Sequence, residues 1–275
     1  MNQPDPRGVR ESAPGEDSIG GRPLTQWRTT AGRWLVAQVV AAARVVSAHG
    51  MLAITAAVGA VLILGLTLAA GGIYDAVEEG DGVAAFDRPL LDLALTARNP
   101  RLDAALTFFT HLGGPLGMSV IAATITVIMV WRWRSRTPLV LMLITVAGSL
   151  AATVVGKSAV GRLRPPQVDA VPPFESSPSF PSGHALNSTA IAGMVAYLLL
   201  LHLQSRLARV LTVVLASAWA LAIGLSRVFL GHHWLTDVIV GWVIGLAWLA
   251  CVATAHRLFL TVRLEEVSGP DRGLR

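Results

Sequence analysis

Three short stretches of this 275-residue sequence combine residue types that can bind and process phosphate, and each lies beside an apolar run. The stretches are KSAVGRLRP at 157–165, PSGH at 181–184 and SRVFLGHHWLTD at 226–237. Together they supply cations, free amides at a helix start, histidines and a carboxylate. Such groups can stabilise charge on phosphoryl oxygens, attack phosphorus and protonate a leaving oxygen.

The first stretch contains Lys157, the only lysine among the 22 basic residues of the chain. A compact ammonium suits a point-charge ligand of phosphate. We expect the third span to continue as a helix as far as Pro165, which would place Lys157 and Arg164 on one face. The alternative for Lys157 is an interfacial lysine that snorkels to the headgroups, and Lys157 taken alone fits that alternative better.

The second stretch is predicted to start the fourth span, with Ser182 as its N-cap. Gly183 allows a ligand to approach closely, and the free amides of the first helical turn form an anion site. His184 would then lie beside the bound anion. The alternative is a simple helix start that carries an interfacial histidine.

The third stretch joins the fifth and sixth spans, and Arg227 lies where the fifth span ends. His233 and Asp237 are four residues apart, which predicts that they share one face of the starting sixth helix. A carboxylate that accepts a proton from one imidazole nitrogen leaves the other nitrogen a better nucleophile or base. A pair that only caps and packs is the alternative. His232 would point roughly 100° away on a helix and is expected to have a lesser role.

A metal site is the alternative chemistry for four of these side chains: His184, His232, His233 and Asp237. Three fixed cations around that site would repel a metal ion and attract phosphate. The sequence therefore predicts a pocket for a phosphoryl group, in which one histidine attacks phosphorus and the other protonates the leaving oxygen. No metal and no other cofactor is expected.

The elements that position these residues are membrane helices. With 53% hydrophobic residues, only 14% charged residues and a mean hydropathy of +0.58, the chain is too apolar for an ordinary soluble domain. A span needs roughly 20 apolar residues. We predict an all-α integral membrane bundle of six transmembrane helices at 51–73, 115–131, 138–156, 185–203, 208–226 and 238–260.

Three regions follow from these spans. Residues 1–50 are expected to form a polar, partly disordered cytoplasmic tail, in which 34–48 are an interfacial helix or an extension of the first span. Residues 51–260 form the six-helix membrane domain, and residues 261–275 form a cytoplasmic C-terminal tail. The residues just before the second span either extend it or lie in the membrane interface.

The distribution of arginine predicts the orientation in the membrane. Six arginines lie in the N-terminal tail, three in WRWRSR, two at 204–209 and four near the C-terminus, which together are fifteen of the 22 basic residues. This side is predicted to be cytoplasmic and to contain both termini, in a multi-pass protein of the plasma membrane. The three phosphate-binding stretches then face outward. Because the arginines are dispersed between apolar runs, nucleic acid is not an expected partner. The single cysteine, Cys251, excludes an intrachain disulfide.

The order Lys-x6-Arg-Pro, Pro-Ser-Gly-His and Ser-Arg-x5-His-x3-Asp resembles the type 2 phosphatidic acid phosphatase superfamily, which includes bacterial acid phosphatases and vanadium haloperoxidases. The resemblance runs from Lys157 to Asp237, with every motif position present. It implies a metal-independent phosphatase with a six-helix membrane core. It also implies that His233 is the nucleophile that becomes phosphohistidine, Asp237 its orienting partner and His184 the general acid. The implied phosphate-binding residues are Lys157, Arg164, Ser182, Gly183 and Arg227.

The favoured function is removal of a terminal phosphate from a lipid that stays in the bilayer. A polyprenyl diphosphate is slightly favoured over phosphatidic acid because three cations suit its higher charge, and phosphatidylglycerophosphate is also open. One alternative is a vanadate-dependent haloperoxidase, which six spans and the lack of a large soluble helical domain argue against. Another is a non-catalytic lipid-binding or transport relative, which would normally have a broken motif. Phe180, Phe229 and Trp234 are expected either to line the path of the lipid tail or to anchor in the interface.

Overall fold

The structure is a computed structural model that describes residues 17–43 and 82–267. This part of the chain is mostly helical, with a two-stranded hairpin of Ser18–Ile19 and Arg22–Pro23 and two 3₁₀ turns, Gly82–Phe86 and Gln167–Asp169. Its α-helices are α1 (Thr30–Ala43), α2 (Asp87–Ala97), α3 (Pro100–Leu112), α4 (Pro115–Trp133), α5 (Thr137–Val160), α6 (Gly183–His202), α7 (Arg206–Phe229) and α8 (Leu235–Val267).

Five helices of the described residues, α4 to α8, are long and apolar enough to cross a membrane. Their mean hydropathies lie between 1.5 and 2.3, and they match the second to sixth predicted spans. The predicted all-α, multi-pass membrane fold is confirmed. The first predicted span, 51–73, lies outside the described residues.

Helix α6 is the central element of the bundle and packs against α5, α7 and α8. In the apolar 18-residue segment of each helix, 56% of α6 is buried, compared with 17% of α7. Its buried Met194 and Leu198 belong to the main apolar cluster, which also contains Trp248 of α8. Outward-facing residues such as Leu143 and Leu215 are exposed, as expected for surfaces that contact lipid. Helix α6 therefore forms the core of the bundle, and its N-terminus lies at the end that carries the motifs.

The residues before the second span form a separate helix, α3, and do not extend α4. Asn99 caps α3 because its side chain accepts a hydrogen bond from the backbone of Leu102, and Pro100 occupies the first helical turn. Gly113 and Gly114 then interrupt the helical path before Pro115 starts α4.

The predicted continuation of the third span to Pro165 is wrong. Helix α5 ends at Val160 because Gly161 adopts a left-handed conformation, with φ of +65°, and its backbone N–H donates to the carbonyl of Lys157. Lys157 lies in the last turn of α5, whereas Arg164 lies in the loop of residues 161–182. The two cations therefore approach each other through the folding of this loop and not along one helix face.

The described N-terminal segment packs against the far end of α8. The Arg257 guanidinium lies 4.2 Å from the centre of the Trp27 ring, and its Nε donates to the carbonyl of Leu24. Helix α1 includes the first part of the stretch at 34–48, and α8 extends to Val267, beyond the predicted end of the sixth span at 260.

Candidate active site

The three motif stretches meet at one end of the bundle. Lys157 comes from the end of α5, His184 from the first turn of α6, Arg227 from the last turn of α7 and His233 from the turn between α7 and α8. The loop 161–182 runs between these helix ends and supplies Arg164. The structure thus gathers the predicted residues from five separate segments.

His233 is fully buried, and its two ring nitrogens meet different partners. Nδ1 lies 3.4 Å from Asp237 Oδ2, and Nε2 lies 3.3 Å from Arg164 Nη1. A guanidinium can only donate, so Nε2 holds the lone pair and Nδ1 carries the proton. Burial, followed by the charges of Arg164 and Arg227, keeps the pKa of His233 well below its ordinary value. The imidazole is therefore neutral at neutral pH, which is the form that a nucleophile needs.

The contact between His233 and Asp237 arises from a turn and not from one helix face as predicted. Helix α8 begins only at Leu235, so His233 precedes it. Gly231 makes this turn possible, since its φ is +71° and a Cβ there would lie 2.2 Å from the carbonyl oxygen of Asp169. Asp237 also accepts from the backbone N–H of Trp234 at 3.0 Å, which caps the helix start.

Asp237 is fully buried and is held by two groups that the sequence interpretation missed. Ser179 Oγ donates to Oδ2 at 2.5 Å, and Arg162 Nη1 donates to Oδ1 at 2.7 Å. Burial lowers the pKa of Arg162, but Asp237 and Asp87 raise it above its ordinary value. The position of the Asp237 carboxylate therefore depends on a buried cation.

Arg162 joins Asp237 to a second buried carboxylate, that of Asp87 at the start of α2. Arg162 Nη2 donates to Asp87 Oδ2 at 2.8 Å, and Asp87 Oδ1 accepts from the backbone N–H of Thr236 at 2.9 Å. In the sequence, this pair is visible only as an arginine two residues before Arg164 and an aspartate at a helix start. Neither feature specifies a partner 75 residues away.

Arg164 and Arg227, two of the predicted phosphate ligands, converge on Glu175. Arg164 Nη2 donates to Glu175 Oε2 at 2.7 Å, and Arg227 Nη2 pairs with Oε1. Burial alone would raise the pKa of Glu175, but Arg227 and Arg164 outweigh it and lower the pKa to about 2. Glu175 was not among the predicted site residues because nothing in the sequence near it indicates two cationic partners.

Arg227 is further positioned by helix α3. Its Nη1 lies 3.5 Å from Thr110 Oγ1, and the hydroxyl of Ser226 donates to the same oxygen at 3.0 Å. Arg227 Nε and His232 Nδ1 are buried without a hydrogen-bond partner among the described residues. The unpaired N–H at Arg227 Nε is a donor beside a cationic cluster, which is consistent with a site that receives an anionic ligand.

Lys157, Gly183, His184 and His233 line one cavity of about 240 Å³. Lys157 Nζ donates to the carbonyl of Pro178, and the nearby guanidinium of Arg164 reaches the same oxygen at 3.5 Å. Ser182 is fully buried and is the N-cap of α6, as predicted, with its Oγ accepting from the backbone of Ala185 at 3.5 Å. The cavity therefore brings both histidines, the ammonium and the start of α6 together.

The same cavity extends between α4, α5 and α6, away from the charged groups. Its lining there combines apolar side chains, namely Met118, Val146, Leu150 and Ile191, with the uncharged polar side chains of Ser119, Thr153 and Asn187. The expectation that Phe180 lines a lipid path or anchors in the interface is wrong, because Phe180 is only 1% exposed and belongs to an internal apolar cluster. The indole N–H of Trp234 donates to the carbonyl of Leu163 at 3.0 Å, which ties it to the loop 161–182.

The loop 161–182 is pinned to the turn between α7 and α8. The backbone N–H of Val171 donates to Leu230 at 2.9 Å, and the ring of His232 bonds the carbonyl of Val171 at 2.7 Å. Arg98 bridges both segments, with Nη1 donating to Asp169 and Nε to Phe229. His232 thus has an anchoring position beside the cavity, and burial followed by Arg227 lowers its pKa to about 4.

Comparison with known proteins agrees with this fold. Residues 137–259 match the PAP2 superfamily. Phosphatidylglycerophosphatase B of Bacillus subtilis (strain 168) is 31% identical over 167 residues, which cover 60% of this chain and 81% of that protein. A crystal structure described as the first transmembrane PAP2 type phosphatidylglycerolphosphate phosphatase, from Bacillus subtilis, superposes with a TM-score of 0.59 at 27% identity. It covers 78% of this chain and 98% of that one.

This chain belongs to the PAP2 superfamily and is a membrane phosphatase. The resemblance inferred from the three motifs is confirmed.

Proposed function

We propose that this protein removes a terminal phosphate from a membrane lipid through a phosphohistidine at His233, without a metal ion. The observation that carries the proposal is the shape of the cavity. One end contains Lys157, His184 and His233, and the other end lies between membrane helices, where the lining has apolar side chains and uncharged polar ones but no charged group among the described residues. A ligand with a phosphate head and a hydrocarbon tail matches both ends.

In the proposed reaction, Lys157, Arg164 and Arg227 hold the phosphoryl oxygens, together with the amides at Gly183. Nε2 of His233 attacks phosphorus, and the bond to the lipid oxygen breaks. Asp237 stabilises the positive ring that forms, because its carboxylate faces Nδ1.

His184 completes the cycle as the general acid and base. It gives its proton to the departing lipid oxygen, and the lipid alcohol or monophosphate leaves. His184 then takes a proton from a water molecule that attacks the phosphohistidine. Inorganic phosphate is released and His233 regains its neutral form.

The lipid is proposed to carry a terminal phosphate at headgroup depth. Because the Bacillus relative is a phosphatidylglycerophosphatase, phosphatidylglycerophosphate is the first lipid to test. A polyprenyl diphosphate is the second candidate, because the site offers three cations to a group of higher charge.

We expect the purified protein to release phosphate from at least one lipid of a panel in the presence of a chelator. The panel contains phosphatidylglycerophosphate, a polyprenyl diphosphate and phosphatidic acid, and phosphate release is measured with and without EDTA. Equal rates under both conditions support the proposal. Loss of activity in EDTA with recovery on metal addition contradicts the metal-free mechanism. Bromide oxidation that depends on added vanadate would favour the haloperoxidase alternative.

The site is proposed to face outward from the plasma membrane, with both termini in the cytoplasm. This orientation is supported by the distribution of charge, because fifteen of the 22 basic residues are predicted to lie on the opposite side of the membrane, and basic residues are enriched on the cytoplasmic side. In a Cys251→Ala background, we expect Val168→Cys, at a position 90% exposed in the loop 161–182, to react with a membrane-impermeant thiol reagent in intact cells. Ser135→Cys, in the turn between α4 and α5, is expected to react only after permeabilisation. The reverse pattern contradicts the proposed orientation.

A further inference from the structure

Glu175 occupies the position in which the proposed function places a phosphoryl group. Its two carboxylate oxygens pair separately with Arg164 and Arg227, two of the three cations in the site. Its side chain is 31% exposed, whereas that of Arg227 is only 2% exposed. A carboxylate that engages two guanidiniums reproduces part of the contact that phosphate oxygens would make.

The cavity lining indicates the order in which a ligand meets these groups. Glu175 lines the cavity together with Lys157, His184 and His233, whereas Arg164 and Arg227 are absent from the lining. The carboxylate therefore stands between the cavity and the two guanidiniums. A phosphate that enters along the cavity reaches both arginines only after Glu175 has moved.

The neighbouring chain permits such a movement. Glu175 lies in a stretch of the loop 161–182 without regular secondary structure, between Pro173 and Pro178. The loop is held before Glu175 at Val171 and after it at Ser177, whose carbonyl accepts from Arg164 Nε at 2.7 Å, and at Ser179, whose backbone N–H donates to the carbonyl of Arg162. Residue 175 can therefore shift while the histidines and the arginines keep their places.

The free energy needed to displace Glu175 is the same for every anion. Weakly bound anions therefore displace it less often than strongly bound ones. A lipid phosphomonoester carries up to two negative charges at neutral pH, whereas a phosphodiester headgroup carries one. The surrounding bilayer is made of phosphodiester lipids, whose headgroups lie at the depth of the site. An open cradle of three cations would attract these abundant lipids as competitors.

We propose that Glu175 competes internally for the phosphate cradle and so lowers the affinity of the cradle for every anion, which leaves it largely free of weakly bound phosphodiester headgroups. This inference rests on the proposed function, because it takes Arg164 and Arg227 as ligands of the substrate phosphate. The apparent dissociation constant of any anion equals its intrinsic value divided by the fraction of molecules in which Glu175 has left the cradle. If that fraction is about 10% or less, removal of the competitor tightens binding by about tenfold or more.

The test compares Glu175→Gln with Asp169→Asn in the full-length protein. Both changes replace a carboxylate of the same loop with its amide, but Asp169 pairs with Arg88 outside the cradle. The substrate is dihexanoyl phosphatidic acid in detergent, and the inhibitors are inorganic phosphate and dihexanoyl phosphatidylglycerol, a phosphodiester. We expect the inhibition constants of both inhibitors to fall by about tenfold or more, and by similar factors, in Glu175→Gln. Asp169→Asn is expected to leave both constants unchanged.

Unchanged or higher inhibition constants in Glu175→Gln overturn the proposal. If this variant has no turnover, phosphate binding is measured directly by calorimetry. Tighter phosphate binding than in the wild type then supports internal competition, and equal or weaker binding overturns it in favour of a structural role for the carboxylate. Failure of the proposed function has a separate signature, namely that the wild-type protein releases no phosphate from any lipid. The ratio of phosphate affinities between the variant and the wild type still decides the role of Glu175 in that case.

Discussion

Turnover of every lipid phosphate is expected to fall by at least about 10⁴-fold when His233 is replaced with alanine, because no other described group offers a neutral nucleophile at this point of the cavity. The reason lies in the surroundings of the ring. Asp237 faces Nδ1, and Nε2 lies beside Arg164, so the lone pair is on the nitrogen next to a guanidinium that we propose binds phosphate. The measurement is phosphate release, with the thermal midpoint in detergent recorded in parallel.

Two further histidine variants serve as controls for the His233→Ala prediction. His184→Ala is expected to lose most activity on lipid substrates but to keep part of it on a phenyl phosphate, whose leaving oxygen hardly needs a proton. His202→Ala, at the other end of α6, where the ring stacks on Trp133 at 3.7 Å, is expected to keep normal turnover. Near-normal activity of a folded His233→Ala protein would contradict the phosphohistidine mechanism. Equal losses on both substrates in His184→Ala would contradict its role as the acid.

Replacement of Arg162 with glutamine is expected to destabilise the protein by about 3–5 kcal/mol and to reduce turnover strongly. Arg162 is the cation between two buried carboxylates, those of Asp87 and Asp237, whose side chains are 7% and 0% exposed. Without it, two negative charges remain close together in a buried site, and Asp237 loses a partner that holds it towards His233. The loss of stability is measured from unfolding in detergent.

The neighbouring Arg88 provides the matched control for Arg162. Its guanidinium is 54% exposed and pairs with Asp92 and Asp169 at the surface, so Arg88→Gln is expected to leave the unfolding midpoint unchanged. The double variant Asp87→Asn with Arg162→Gln removes one of the two carboxylate charges that lose Arg162, and it is expected to recover part of the lost stability. Equal stability of Arg162→Gln and Arg88→Gln would contradict the assignment of Arg162 as the essential cation of this network.

Much of the fold was predictable from the sequence because membrane spans are defined by local composition. The second to sixth predicted spans correspond to α4–α8, since a run of apolar residues long enough to cross the bilayer has few other stable arrangements. Helix ends were less predictable. The helix predicted to reach Pro165 ends at Val160, four residues before Arg164, because Gly161 adopts a left-handed conformation. The sequence does not show whether a given glycine adopts that conformation.

The site was partly predictable for a related reason. The residues of the three motifs, such as His184 and His233, are placed by helix ends that local sequence indicates, and the bundle brings those ends to one side. The supporting residues were missed because their partners are distant. Arg162 meets Asp87 across 75 positions, and Glu175 meets Arg227 across 52.

The sequence by itself determined the membrane class, the phosphatase family and the residues that belong to its motifs. Each depends on residue type and short spacing, which fix hydropathy and the order of the motif residues along the chain. Only the tertiary structure decided that Glu175 stands between the cavity and two arginines, that Arg162 holds Asp237, and that residues of α4, α5 and α6 line the cavity. These features depend on how helices far apart in the chain pack together, because burial and long-range pairing are properties of the assembled bundle and not of any one segment.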